Sequence, residues 1–368
     1  MTTVYISDKL PTFVNQNNIT MIKVFSIRLK QARLMKNLSM DKLCEKIGVS
    51  KQSIYKYENA QMMPDSRTLL ALSDALGIKV DYFFRPININ IDHIEFRKKA
   101  KLGAKNIASI KETVRDKVER YFEIEEINNI STSFHAEYRN VDILDETDIY
   151  SIVSRLKSDW QLGEDGINNL IETLEEHQIK VIELDESKEF DGLSGYINDT
   201  HPVIVLNKNF DSERKRFTAL HELGHLILSF DSSINDRMKE RFCDLFASEM
   251  LISRETFILK IGANRKDISL HELRDIQLQY GISIDALMYK AKTLNVITDR
   301  RHRGYCIKKN TYPEFKKEVE KSLAKTEDTN RFSRLVYRAL ACEIISISKA
   351  STLLDMPINE IRNGLNLM

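Results

Sequence analysis

The sequence predicts a mostly helical chain with a small β-sheet, an α+β class. Three observations lead there. Apolar residues recur at three- and four-residue spacing near both ends of the chain and through much of its middle. Runs with strand character are few, short and confined to residues 180–206. One helical stretch carries His221-Glu222-Leu223-Gly224-His225, an H-E-x-x-H pattern. A length of 368 residues favours two or three domains. With 42% hydrophobic and 30% charged residues the chain can bury real cores. A net charge of +1 leaves any affinity for nucleic acid to local patches.

Residues 1–24 read as an N-terminal extension and residues 25–84 as five short helices. Phe25 to Met35 is the first. Ser39 caps the second, Met40 to Ile47; Gly48 makes the turn; Ser50 caps the third, Lys51 to Asn59. Ser66 opens the fourth, which stops before Gly77, and Val80 to Phe84 is a short fifth. Helix, Gly-containing turn, helix is the helix-turn-helix pattern, whose second helix enters the major groove of double-stranded DNA. Segment 23–81 carries eleven Lys/Arg against six Asp/Glu, a net +5, which suits a phosphate-facing surface. Lys51, Gln52, Ser53 and Lys56 are polar side chains on the third helix and the candidate DNA contacts. The competing reading is a small helical bundle that binds protein or nothing.

Residues 85–127 read as a linker and a long connecting helix. Pro86 through Asp92 has no helical period and reads as extended. The chain is basic from Lys98. Ile107, Ile110, Val114, Val118, Tyr121 and Ile124 then repeat at three or four, giving an amphipathic helix over about 104–127.

Residues 128–295 hold the chemistry. Helices are expected over Ile152–Trp160 and Ile167–His177, and strands over Lys180–Leu184, Gly195–Asn198 and Pro202–Leu206. An edge strand in the last position can pair with an extended peptide backbone. The helix that follows, Phe217 to Phe230, carries the H-E-x-x-H. Residues four apart share a helix face, so His221 and His225 can bind one Zn²⁺ while Glu222 activates a water. Catalytic zinc needs a third protein ligand. The next helix, Arg237 to Leu251, offers Glu240, with Glu249 as the alternative. Asp244, four residues from Glu240, can accept a hydrogen bond from a ligand imidazole and fix its orientation. Tyr196 and His201 are candidate oxyanion donors by position alone. Cys243 reads as a small buried hydrophobe. His93, His135, His177, His271 and His302 read as ordinary core or surface side chains. A further helix is expected over Ser283–Leu294.

Residues 296–368 form a helical C-terminal region. Phe332, Leu335, Val336, Ala339 and Leu340 make one stripe. Ser348 opens a helix through Leu354, and Pro357 another toward Gly364. The pair imitates a helix-turn-helix, but IRNGLNL is poor in base-reading side chains, so packing or homodimerisation is the expected role. Four scattered cysteines without a C-x-x-C pair suit a reducing cytoplasm. No apolar run approaches the ~18 residues of a membrane span, and Asp8, Lys9 and Pro11 interrupt any signal-peptide core.

Residues 25–84 resemble the Xre/Cro-type helix-turn-helix family over LSMDKLCEKIGVSKQSIYKYENAQMMPDSRTLLALSDALGI. The resemblance implies that Lys51, Gln52 and Lys56 touch base edges, and that Arg33 pairs with Glu58 as scaffold. Residues from about 125 to 295 resemble the ImmA/IrrE family of zinc metallopeptidases, a zincin-like domain. The matching stretches are DGLSG (191–195), HPVIVLN (201–207), RFTALHELGHLIL (216–228) and ERFCDLFASEML (240–251). The family usually shows E-x-x-A-N-x-F-A-x-E-L-L-M-P in the last stretch. Here Cys243 replaces Ala, Asp244 replaces Asn and Ser253 replaces Pro. The resemblance implies Glu222 as general base and His221, His225 and Glu240 as zinc ligands. It also implies a cytoplasmic regulator that relieves repression by cleaving a protein partner, a repressor or antitoxin. Two other readings compete: a repressor whose metal domain only senses a ligand or partner, and a toxin–antitoxin component fused into one chain. An intact Glu222 favours hydrolysis, because metal sensing alone has no use for a general base.

Overall fold

A computed structural model describes residues 13–87, 94–96, 103–130, 134, 142–322 and 327–365. The chain divides into two compact units, residues 1–91 with 101–119, and residues 92–100 with 120–368.

The first unit holds α1 (Phe13–Met35), α2 (Met40–Ile47), α3 (Lys51–Glu58), α4 (Ser66–Leu76) and a 3₁₀ turn (Val80–Phe84). Side-chain caps fix the starts. Ser39 accepts from the Lys42 amide, Ser50 from Ser53 and Asp65 from Thr68. Gly48 ends α2 at φ 70°, a left-handed conformation that costs glycine little, and so sets the turn into α3. Phe25, Leu29, Leu43, Ile54, Leu72 and Phe83 close the core. The expected start of α1 at Phe25 is corrected to Phe13. Among the described side chains the buried stripe begins at residue 25, but no Pro or Gly interrupts residues 13–24.

The connecting helix lies where it was expected and has residues in both units. α5 (Ala104–Ile127), which follows β1 (Ile94–Phe96), has the expected length, but its first part belongs to the first unit. Arg28, 1% exposed, pairs with Glu119 at 2.7 Å, and Arg85 pairs with Asp116 and Glu119. Ser109 donates to the Met35 carbonyl at 2.8 Å. The expected extended linker falls largely outside the described residues, as does the basic stretch at Lys98.

The second unit is built around a four-stranded sheet in the order β1-β4-β5-β3. Before it come β2 (Asp142–Ile143), α6 (Glu146–Asp159) and α7 (Leu170–Glu176). β3 (Lys180–Leu184) lies parallel to β5 (His201–Asn207), and β4 (Gly192–Ile197) antiparallel to it. β3 matches its expected span, whereas β4 starts three residues earlier than expected. Pro202 to Asn207 are all buried, as befits an interior strand. β5 is therefore not the edge strand expected before the H-E-x-x-H helix: β4 flanks it on one side and β3 on the other, and β1 lies outside β4.

α8 (Ser212–Ile227) carries the H-E-x-x-H and starts earlier than expected, at its Asp211 cap. It ends at Ile227, and β6 (Ser229–Phe230) pairs with β2. α9 (Asp236–Leu251) packs on α8. A Cβ on Gly224 would lie 3.3 Å from Phe246 and 3.4 Å from Cys243, so glycine permits this close approach. The chain continues through α10 (Arg254–Ile261), α11 (Leu270–Tyr280), α12 (Ile284–Thr293), α13 (Asp299–Thr311) and α14 (Pro313–Val319).

α15 (Arg331–Ala341), α16 (Ile347–Leu354) and α17 (Ile358–Leu365) form a separate small core with Tyr121 and Ile124 of α5. α16 starts at Ile347 rather than Ser348, because Ser346 is its cap. Arg331 reaches Glu125 at 2.6 Å and the Tyr121 hydroxyl at 3.0 Å, so the tail has the packing role expected of it.

Candidate functional site

β4 and α8 run side by side, and their residues meet in step. A Cβ on Gly192 would lie 2.7 Å from Thr218, the Ser194 hydroxyl donates to Glu222 at 2.8 Å, and the Tyr196 hydroxyl donates to the Leu226 carbonyl at 3.0 Å. Two strand residues rise about 6.6 Å and four helical residues about 6 Å, so the contacts keep register.

The next turn of chemistry lies between α8 and α9. One nitrogen each of His221 and His225 and a carboxylate oxygen of Glu240 lie within 4.8 Å of one another. The His221 Nε2 is 3.3 Å from one Glu240 oxygen, and the His225 Nε2 is 3.2 Å from the other. Each ring is turned by its far nitrogen. His221 Nδ1 donates to Asp244 at 2.8 Å, and His225 Nδ1 lies 3.4 Å from the Cys243 sulfur. Both imidazoles therefore present Nε2 to a common point. The histidines are buried, whereas the Glu240 side chain is 53% exposed, so the cluster is open on one side.

The charge balance favours a cation. Hydrogen bonds from His221 and His225 hold the Glu240 carboxyl far below the usual carboxylate range. Burial pulls His221 down, but hydrogen bonds to Asp244 and Glu240 and the charges of Glu222 and Asp244 outweigh it, taking the imidazole up to about 9. A field that holds a proton this firmly draws a divalent cation by the same means. Two neutral imidazoles, one carboxylate and an open side are the donor set of a catalytic zinc, so these residues fit that metal.

The alternative third ligand is elsewhere. Glu249 is 3% exposed, pairs with the buried Lys290 at 2.5 Å and accepts from the Arg254 amide. It holds helices together. His201 lies against the Phe122 ring at 4.7 Å and bonds Thr200, and Tyr196 is engaged with Leu226. Two partners escaped the sequence reading. Ser194 is a small, buried hydroxyl in a largely apolar strand, and that anomaly was its signal. Cys243 is fully buried as expected, but its sulfur also faces the His225 imidazole.

In the first unit α3 presents a polar face. Lys51 and Gln52 are exposed, Lys56 is half-buried, and Ser53 bonds the capping Ser50 hydroxyl. Lys51 pairs with Asp41 at 2.8 Å, but both side chains are more than half exposed, so the pair is weak. Tyr55, 51% exposed, stands beside them and was missed, although it lies one turn from Lys51 and Gln52. Arg33 makes a two-pronged buried bond to Glu58 at 2.6 and 2.8 Å, tying α1 to the end of α3.

Comparison with known proteins agrees with both halves. A helix-turn-helix family profile matches residues 29–83, and the profile of the IrrE N-terminal-like domain, a peptidase family, matches residues 174–292. The chain is 32% identical over 69 residues to the SPbeta prophage-derived HTH-type transcriptional regulator YonR of Bacillus subtilis (strain 168). It is 31% identical over 62 residues to the HTH-type transcriptional regulator YqaE of the same organism. These matches take in 19% and 17% of this chain, and 64% and 53% of the two relatives. The chain thus carries an Xre-type helix-turn-helix domain followed by an IrrE N-terminal-like domain of the M78 metallopeptidase family.

Proposed function

We propose that this chain is a cytoplasmic, DNA-binding transcriptional regulator whose second unit is a zinc-dependent metalloendopeptidase. It hydrolyses a peptide bond in a partner regulator, a repressor or antitoxin, or in its own chain. The observation that carries this reading is the convergence of His221, His225 and Glu240 beside Glu222.

His221, His225 and Glu240 would hold the zinc, and Asp244 keeps the His221 ring in the tautomer that leaves Nε2 free. Zinc, when bound, supplies a Lewis acid that lowers the pKa of water toward ~7 and polarises a carbonyl. Glu222 takes the proton from the attacking water and returns it to the leaving amide nitrogen. Ser194 orients the Glu222 carboxylate by donating to one of its oxygens. In the first unit Lys51 and Gln52 suit guanine and adenine edges, with Ser53 and Lys56 beside them. The C-terminal helices are the proposed homodimer contact.

A second reading has one observation in its favour. Glu222 is only 1% exposed, so bulk water reaches it only after something around the site moves. A domain that senses without hydrolysing would keep it so. Incubating the zinc-loaded protein and its Glu222→Gln variant with the products of neighbouring genes separates the two. Fragments formed by the wild type and not by the variant are expected. Identical digests, with both proteins folded and metal-loaded, favour the sensor.

A further inference from the structure

The sheet edge that flanks the catalytic helix is already taken by the chain itself. β1 pairs antiparallel with β4, placing Ile94 opposite Ile197, Glu95 opposite Tyr196 and Phe96 opposite Gly195. Among the described residues the pairing reaches Gly195, next to Ser194, whose hydroxyl holds Glu222. β4 is also the strand that keeps step with α8 at Thr218, Glu222 and Leu226. The other edge of the sheet, β3, lies beyond β5.

An extended peptide recognises such an edge through main-chain hydrogen bonds, adding itself as one more strand. A peptide lying antiparallel on β4 would run past Ser194 and so past Glu222. An extended substrate of a zinc peptidase lies antiparallel on the strand beside the H-E-x-x-H helix; we propose that residues 94–96 hold that place on β4 in the resting chain. The segment then acts as a tethered competitor, and the site works only when a substrate or partner displaces it. This inference rests on the peptidase reading of the same site.

Two features suit a displaceable segment. Its described pairing covers three residues, and a pairing that short supplies few main-chain bonds. It is also tethered, and tethering gives a weak segment an effective concentration on the order of millimolar. A free peptide therefore competes poorly until the segment leaves. The nearly complete burial of Glu222 agrees with a resting site that is closed.

The test measures binding, not turnover. Full-length zinc-loaded Glu222→Gln protein is titrated against a fluorescein-labelled synthetic peptide of residues 90–100, and fluorescence anisotropy is read. The same protein also carrying Ile94→Gly, Glu95→Pro and Phe96→Gly is titrated in parallel. Proline cannot complete the strand pairing, and the glycines weaken it further. The substituted protein is expected to bind the peptide at least 10-fold tighter. Equal affinity in the two proteins, or no binding to either while both melt cooperatively, overturns the proposal. If the triple variant does not fold, hydrogen exchange on the Glu222→Gln protein decides. Excess peptide should expose the amides of 94–96 while leaving those of β4 protected, and unchanged exchange at 94–96 counts against the proposal. Because the protein is unable to hydrolyse, peptide binding can succeed even if the site proves to have no peptidase activity.

Discussion

His221, His225, Glu240 and Glu249 allow the sharpest tests at the scale of single residues. The proposed ligands predict about one Zn²⁺ per chain, lost in His221→Ala and in Glu240→Ala. Glu249→Ala should keep its zinc yet lose stability, on the order of 3–5 kcal/mol, because Lys290 would stay buried without its partner. Metal analysis and thermal unfolding of the same samples check both, and zinc lost from Glu249→Ala but kept in Glu240→Ala would reverse the assignment. Glu175 offers a pH test away from the metal. Burial, only partly offset by the Arg331 amide, the Tyr121 hydroxyl and the charges of Arg331 and Arg334, pushes its carboxyl up to about 7. A folded-state pKa raised above the ordinary 4.5 means the stability is fully present below pH 4.5 and is lost as pH rises through 7. Glu175→Gln removes that dependence. The variant should therefore gain on the wild type between pH 5 and pH 8, by on the order of 1–3 kcal/mol. Parallel denaturant titrations at the two pH values read it, and an equal difference at both would rule out ionisation of Glu175 as the cause.

At the scale of elements, α3 and the α8–α9 pair were legible in the sequence for different reasons. α3 was delimited by punctuation: Ser39, Gly48 and Ser50 cap and turn where the residue types demand it. The metal helix was legible from a spacing, and the placing of Glu240 and Asp244 followed from one more four-residue step on α9. What escaped depends on neighbours distant in sequence. The pairing of β1 is a three-residue contact between segments about a hundred residues apart, with no local period to announce it. The interior position of β5 depends on which strands flank it, and Arg28 and Arg85 find Glu119 only when α5 folds back. For α3 we expect Lys51→Ala, Gln52→Ala and Tyr55→Ala each to weaken specific operator binding by on the order of 1–3 kcal/mol if the residue reads bases. Their unfolding should be unchanged, since all three side chains are exposed. Retained operator affinity in all three would move the recognition surface off α3.

At the scale of the whole molecule, a regulator and a peptidase on one chain make sense if one controls the other. α5 contributes residues to both units, through Glu119 to the first and from Arg120 to the second. A signal acting on the second unit can shift DNA affinity only by binding two arrangements unequally. The fragment that isolates the first unit is residues 1–119, since cutting near Asp92 would strip Arg28 and Arg85 of Asp116 and Glu119. This fragment should bind operator without responding to the inducing signal, while the full chain responds. A fragment that responds as the full chain does would locate the sensor outside the second unit.

The central claim is that the second unit hydrolyses peptide bonds through Glu222. Its most direct measurement is digestion by the zinc-loaded protein in ¹⁸O-labelled water, with mass spectrometry of the fragments of both the partner and the chain itself. New carboxyl termini carrying one ¹⁸O atom are expected with the wild type and none with Glu222→Gln. Labelled termini formed equally by the variant, or no cleavage by a folded, zinc-loaded wild type against any neighbouring gene product or itself, would contradict it.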